Sequence, residues 1–194
     1  MGVVINGVRW ATRNVDMPGT FAKTPESSGM LFQWDIKKAF NAVDELVEDD
    51  WQRWMISLGK EGKWSAENDP CPTGWRIPTH EELELLYNTH SEWTTQNNVN
   101  GRFFGIAPYQ IFLPAVGFRE TAWQGSDDYG FDIFAGKLKF AGKGGYYWSQ
   151  TSMGRGSPVA WCLWFGKHFD TGREFLEVHY NWLSFGFNIR CVAL

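Results

Sequence analysis

The stretch Val159-Ala160-Trp161-Cys162-Leu163-Trp164-Phe165 decides how this chain is to be read. A short apolar run of this kind, followed by a glycine, is a strand signature. Side chains of a strand alternate between faces, so Val159, Trp161, Leu163 and Phe165 share one face and Ala160, Cys162 and Trp164 the other. The same texture extends outward from this run. From Arg102 onward, apolar runs alternate with glycine-rich turns at Ile111-Phe112-Leu113-Pro114, Tyr146-Tyr147-Trp148 and Phe187-Asn188-Ile189-Arg190-Cys191-Val192.

The N-terminal half reads differently. Val3 to Trp10 predicts two short strands around the Asn6-Gly7 turn, and residues 14–29 read as loop. Ile36, Phe40, Val43 and Val47 recur at helical spacing and predict a helix from Asp35, its N-cap, to about Leu58. Lys60 to Asp69 reads as a polar loop. Thr79 with Glu82 forms a capping-box signal, and Leu83, Leu85, Leu86 and Tyr87 supply the stripe of a second helix, followed by a polar stretch from Trp93 to Asn100. Helices followed by strands imply an α+β domain. Neither an internal repeat nor a boundary divides residues 1–194, so one domain is expected, with 35–69 as a helical and loop insertion.

The chain has 194 residues, 43% of them hydrophobic and 21% charged, the profile of a globular domain large enough to bury a core unaided. It carries 12 Trp, 15 Phe and 6 Tyr. Twelve Trp exceed what a core of this size needs, so some are expected to be exposed for recognition. The net charge of −4 carries no basic footprint for nucleic acid. No apolar stretch is long enough to span a membrane, and Met1 to Ile5 lacks the apolar region of a signal peptide. The three cysteines, Cys71, Cys162 and Cys191, contain no CxxC pair, which argues against structural zinc and leaves one cysteine over if two pair.

Six segments in order resemble one family: Asn6 to Asn14, Gly29 to Trp34, Asp69 to Thr79, Phe112 to Arg119, Tyr147-Trp148-Ser149-Gln150-Thr151, and Phe185 to Val192. Together they resemble the fibrobacter-type major paralogous domain of gut bacteria and their phages. The resemblance implies a C-type-lectin-like fold: two helices flanking a twisted antiparallel sheet, long irregular loops, and paired N- and C-terminal strands. It also implies kinship with the variable proteins of diversity-generating retroelements, which end in a similar "YWSST…FSVRPV" pattern, with 146–192 as the variable, binding region. Arg76 to Leu83 is similar to an element of formylglycine-generating enzymes and is read as shared scaffold. Cys71 and Cys191 both lie in the family motifs and could form a disulfide.

The family pattern keeps Val159, Trp161, Leu163 and Phe165 apolar, which makes them core and turns Trp164 outward as a ligand anchor. Residues 166–184 mix rings with donors and acceptors, as recognition loops do. The expected ligand-binding set is therefore Trp164, His168, Asp170, Arg173, His179, Tyr180, Asn181 and Trp182, with Arg155 on the flexible tip 152–157. No catalytic residue, metal site or cofactor is expected. His168 and His179 lack converging partners, Asp127-Asp128 is too thin for a hard cation, and Gly136 to Lys143 has the wrong spacing for a P-loop. Cys162 and Cys191, in apolar strands, read as inert thiols. The expected function is a ligand-binding, receptor-recognition module for a protein or glycan on a cell surface, outside the cell or on a virion, without nucleic acid or membrane insertion. The alternatives are a non-diversified adhesin or fimbria-like component, or a formylglycine-generating-type enzyme.

Overall fold

A computed structural model describes residues 2–43, 62–120, 136–168 and 170–194 of the chain. Their elements are β1 (Gly2–Ile5), β2 (Val8–Ala11), β3 (Leu31–Gln33), β4 (Ala39–Phe40), β5 (Trp75–Arg76), α1 (His80–Tyr87), β6 (Ser91–Gln96), β7 (Val99–Ile106), β8 (Tyr109–Pro114), β9 (Phe118–Glu120), β10 (Lys137–Lys139), β11 (Gly144–Ser152), β12 (Val159–Lys167), β13 (Glu174–Trp182), β14 (Gly186–Phe187) and β15 (Val192–Ala193). A single 3-10 turn, Ala66–Asn68, lies before β5. The strands form four small sheets, ordered β1-β2-β15-β5, β10-β9-β14-β3-β4, β11-β12-β13 and β6-β7-β8.

This overturns the expected α+β, C-type-lectin-like layout. The described residues are 48% strand and 7% helical, with one α-helix and four sheets in place of two helices flanking one sheet. The helix expected to start at Asp35 is absent from its described part. Asp35 has φ 58°, and its carboxylate accepts from the Ser65 N–H (2.8 Å) and the Ser65 hydroxyl (2.9 Å). Phe40 then pairs with Leu31 across β3 and β4. Backbone groups engaged in a sheet ladder cannot close helical turns, whatever the apolar spacing. The rest of the expected helix, 44–58, lies outside the described residues. The C-terminal strand β15 pairs with β2 of the N-terminal hairpin and with β5, while the first strand, β1, pairs with β2.

Local signals in the sequence account for the turns. Asn6 and Gly7 both take positive φ, 48° and 82°, as a two-residue hairpin turn between β1 and β2 requires. Thr79 and Glu82 form a capping box at the start of α1, and Arg76 holds the Glu82 carboxylate through both its terminal nitrogens (2.7 and 2.6 Å). The polar stretch after α1 is a strand, β6, joined to β7 through Asn97 and Asn98 in the left-handed region.

The β11-β12-β13 sheet divides the interior. On one side, Tyr146, Trp148, Ala160 and Cys162 join Trp34, Trp64, Phe187 and Ile189 in a first core. On the other, Tyr147, Leu163 and Phe165 join Trp10, Phe104, Leu113 and the α1 residues Leu83 and Leu86 in a second. β12 is therefore buried on both faces. That corrects the assignment of Val159, Trp161, Leu163 and Phe165 as its only core face: Ala160 and Cys162 are equally buried, while Val159 and Trp161 are half-exposed. A continuous apolar run, unlike alternating polar and apolar residues, is what a strand covered on both sides needs.

Three long-range ties hold the small sheets together. Cys71 and Cys191 form a disulfide across 120 residues. Arg119, fully buried, donates to the Asn41 carbonyl (2.9 Å) and side chain (3.1 Å) and to the Gly136 carbonyl. Arg190, 1% exposed, donates to the Asn14 side-chain oxygen twice (3.0 and 2.7 Å) and to the carbonyls of Ala11 (3.2 Å) and Phe112 (3.0 Å). Hydrogen bonds to a buried charge contribute about 1.5–3 kcal/mol each. Asn14→Ala, which removes two of these bonds and leaves the guanidinium under-solvated, is expected to cost on the order of 3 kcal/mol, read as a lower urea midpoint. Arg190→Lys should fare no better, because one ammonium cannot reach acceptors spread over three segments.

Candidate functional site

Trp164 sits mid-strand in β12, directly opposite Tyr146 of β11 and Glu177 of β13. All three project from the face that carries the first core, Tyr146 as a buried member of it and Trp164 packed against it. The Trp164 Nε1–H donates to the Glu177 carboxylate at 3.2 Å, which fixes the plane of the indole. Phe175 meets it edge-on with centroids 5.4 Å apart, and His179 stacks on it at 5.7 Å. A second wall comes from the neighbouring sheet and its turns. Phe118 of β9 packs on Tyr146 (4.6 Å), Phe185 (5.4 Å) and Phe140 (5.9 Å, stacked). Lys167, His168 and Asn181 complete the lining of a cleft of about 480 Å³. Its size and its character, many rings with a few polar groups, are those of small-ligand sites.

Two glycines make this geometry possible. Gly166 faces Phe175 across the β12–β13 pair, and a Cβ there would lie 2.9 Å from the Phe175 ring and 2.6 Å from the Lys143 carbonyl. Without a side chain at 166, the Phe175 ring can lie down over β12. Gly117, at φ 82°, would place a Cβ 2.2 Å from the Lys139 carbonyl. Its bare backbone lets the β9 and β10 ends close up and brings Phe118 against Phe140. Burial pushes the Tyr146 phenol well above its ordinary range, reinforced by the nearby Cys162, so the cleft floor presents a neutral O–H.

The residues expected from the sequence divide among several places. Trp164, His168 and Asn181 line the cleft, and His179 stacks on Trp164. Trp164 is half-buried against the first core rather than freely exposed. Asp170 and Arg173 are exposed in the β12–β13 turn, closed by the His168 N–H donating to the Arg173 carbonyl (2.9 Å). Arg155 is exposed on the β11–β12 turn, outside the cleft lining. Tyr180 and Trp182, 41% and 49% exposed, lie on the opposite face of β13. There Tyr180 meets Trp161 edge-on (5.8 Å) and Trp161 stacks on His80 (4.0 Å). Residues 166–184 are therefore mostly regular strand, and the expected irregular loop is confined to their turns.

Phe118, Phe140, Tyr146, Phe175, Glu177 and Phe185 belong to the cleft but not to the expected set. For Phe175 and Glu177 a signal exists: Phe175, Glu177, His179 and Asn181 alternate at period two. For Phe118 and Phe140 there is none, because another sheet supplies them.

The cysteines offer no reactive thiol. Cys191 is in the disulfide, and Cys162 is completely buried, its thiol pushed far above the ordinary range by burial although Asn181 hydrogen-bonds to it. Among the described residues no three His, Cys, Asp or Glu side chains converge as a metal site would require; Asp127 and Asp128 lie outside them. No known protein family, curated protein or solved structure matches the chain. Thiol titration checks the cysteine arrangement: none should react in the native protein at pH 8, one in denaturant without reductant, and three after reduction.

Proposed function

We propose that this chain is a ligand-recognition module whose site is the cleft floored by Trp164, taking a protein side chain or a sugar ring displayed on a cell surface. The observation that carries the reading is the clamped indole. A hydrogen bond to Glu177 and rings on several sides hold Trp164 in one orientation while part of it stays open. Preorganised aromatic area loses little conformational entropy on binding, which is why rigid rings dominate recognition surfaces. Glu177, Asn181, Lys167 and His168 supply the polar contacts that penalise a mismatched ligand.

The resemblance to retroelement-diversified proteins supports the same reading. The two segments that carry it, Tyr147 to Thr151 and Phe187 to Val192, are nearly all buried and serve as scaffold. Between them, the side chains that reach solvent, from Arg155 to Trp182, are the positions such a protein would vary. The Cys71–Cys191 disulfide supports an oxidising location, outside the cell or on a virion.

Trp164→Ala tests the site, with binding measured on a panel of immobilised glycans and intact cells. Loss of a central aromatic anchor is expected to cost about 2 kcal/mol or more, on the order of thirtyfold in affinity. Tyr109→Ala, on the distant β7–β8 hairpin tip, serves as the control. Undiminished binding by a folded Trp164→Ala protein removes the cleft from the mechanism.

A further inference from the structure

The two outer strands of the β11-β12-β13 sheet differ in one respect. The free side of β11 is used up: the Trp148, Gln150 and Ser152 N–H groups donate to the carbonyls of Asn188, Pro78 and Gly62, and the Tyr146 carbonyl accepts from Asn188. Among the described residues the free side of β13 has no such partners. Which of its residues face outward follows from the bonds flanking the β12–β13 ladder. The Leu183 N–H donates to Pro158 and the His168 N–H to Arg173. Antiparallel strands alternate inward and outward backbone groups, so the odd-numbered residues of β13 point to β12. Glu174, Leu176, Val178, Tyr180 and Trp182 point away from it, and among the described residues only the Trp182 carbonyl of this set is taken, by the Phe185 N–H.

Sheet edges of this length are usually blunted by proline, lysine, a bulge or a covering segment. β13, Glu-Phe-Leu-Glu-Val-His-Tyr-Asn-Trp over 9 residues, contains neither proline nor lysine, and its two charged residues are engaged within the chain, Glu174 by Arg102 and Glu177 by Trp164. Its register with β12 runs from Glu174 to Trp182 without a shift. Its N-terminal end is anchored by Arg102, whose Nη2 lies 2.7 Å from the Glu174 carboxylate. Every residue of β13 is at least partly exposed.

We infer that β13 is a dimerisation edge, pairing antiparallel with β13 of a second copy about a two-fold axis at Val178. In that register the outward-facing residues meet one another: Val178 opposes its own copy, and Leu176 opposes Tyr180. On the other face Glu177 opposes the partner's His179 and Phe175 opposes the partner's Asn181. Val178 thus meets Val178 and Leu176 meets Tyr180, a carboxylate meets an imidazole, Glu174 lies opposite Trp182 at the two ends, and no like charges are directly opposed, as a self-complementary interface requires. The same strand turned on itself is the occupant that this side-chain order fits. Residues opposed across an antiparallel pair project from the same face, so both Trp164 clefts open on one side of a continuous sheet. Two sites held together in this way engage a surface with linked affinity. The dimer stands independently of what the cleft binds.

Sedimentation equilibrium of the intact chain over a wide concentration range tests the inference. The expected result is a concentration-dependent shift towards twice the mass of one chain. Val178→Pro removes an outward N–H without touching the β12 ladder, a position where strands tolerate proline. It should sediment as a single chain with its melting temperature kept. Val178→Cys should cross-link to a covalent dimer under mild oxidation, because hydrogen-bonded partners lie about 5.5 Å apart at Cα, within disulfide reach; sealed Cys162 cannot contribute. A wild-type chain that stays single at every concentration overturns the inference, as does a dimer that survives in folded Val178→Pro. Should Val178→Pro unfold, the cross-link decides: a covalent dimer of Val178→Cys supports the interface and its absence refutes it.

Discussion

One buried positive charge holds the termini of this protein to its middle. The guanidinium of Arg190 is removed from water and has no carboxylate beside it among the described residues; its charge is met by the Asn14 side chain and the carbonyls of Ala11 and Phe112. Withdrawing a charged group from water is among the costliest steps in folding unless its donors are met. The segments around residues 11–14, 112 and 190 therefore cannot part without stranding the charge. Tyr147, whose phenol donates to the Pro114 carbonyl (2.8 Å), continues the tie into the central sheet. Arg119 plays a comparable part between β9 and the Asn41 and Gly136 backbones.

Such ties matter because the architecture is made of pieces too small to stand alone. Several strands span only two residues, well short of the usual length of about five or six, and add few ladder bonds to their sheets. Stability comes from packing the sheets against both faces of β11-β12-β13 and from locking distant segments with buried guanidinium groups and the Cys71–Cys191 disulfide. Under that constraint the central sheet is rigid, and what it leaves uncovered becomes the working surface. On one face this is the cleft around Trp164. On the other it is the strip of Trp161, Tyr180 and Trp182, and along the side it is the open edge of β13.

The legible parts of the sequence were those where chemistry is local. The Asn6-Gly7 turn, the Thr79/Glu82 cap and the apolar run of β12 each read correctly, because a turn, a cap or an apolar run is decided by adjacent residues. The Asp35 helix failed because its periodic residues were also good strand residues: Phe40 had a partner in Leu31 that local spacing does not reveal. The aromatic excess told of rings to spare: Tyr180 and Trp182 are exposed, whereas Tyr146, Tyr147, Trp148 and Phe165 went into the cores. The cleft itself was only half legible, since Trp164, His168 and Asn181 lie in one hairpin while Phe118, Phe140 and Phe185 come from elsewhere.

By itself, then, the sequence determined the Asn6-Gly7 turn, the Thr79 cap and the apolar run of β12, which residues are apolar enough to form a core, and that more rings exist than a core consumes. Only the tertiary structure decided that β12 is covered on both faces, that Trp164 is clamped rather than free, and that Tyr180 and Trp182 look the opposite way. The physical reason is range. Turn and cap preferences are set within a few residues, whereas burial and the assembly of a cleft depend on segments such as Asn14 and Arg190, 176 positions apart, that meet only once the sheets have packed.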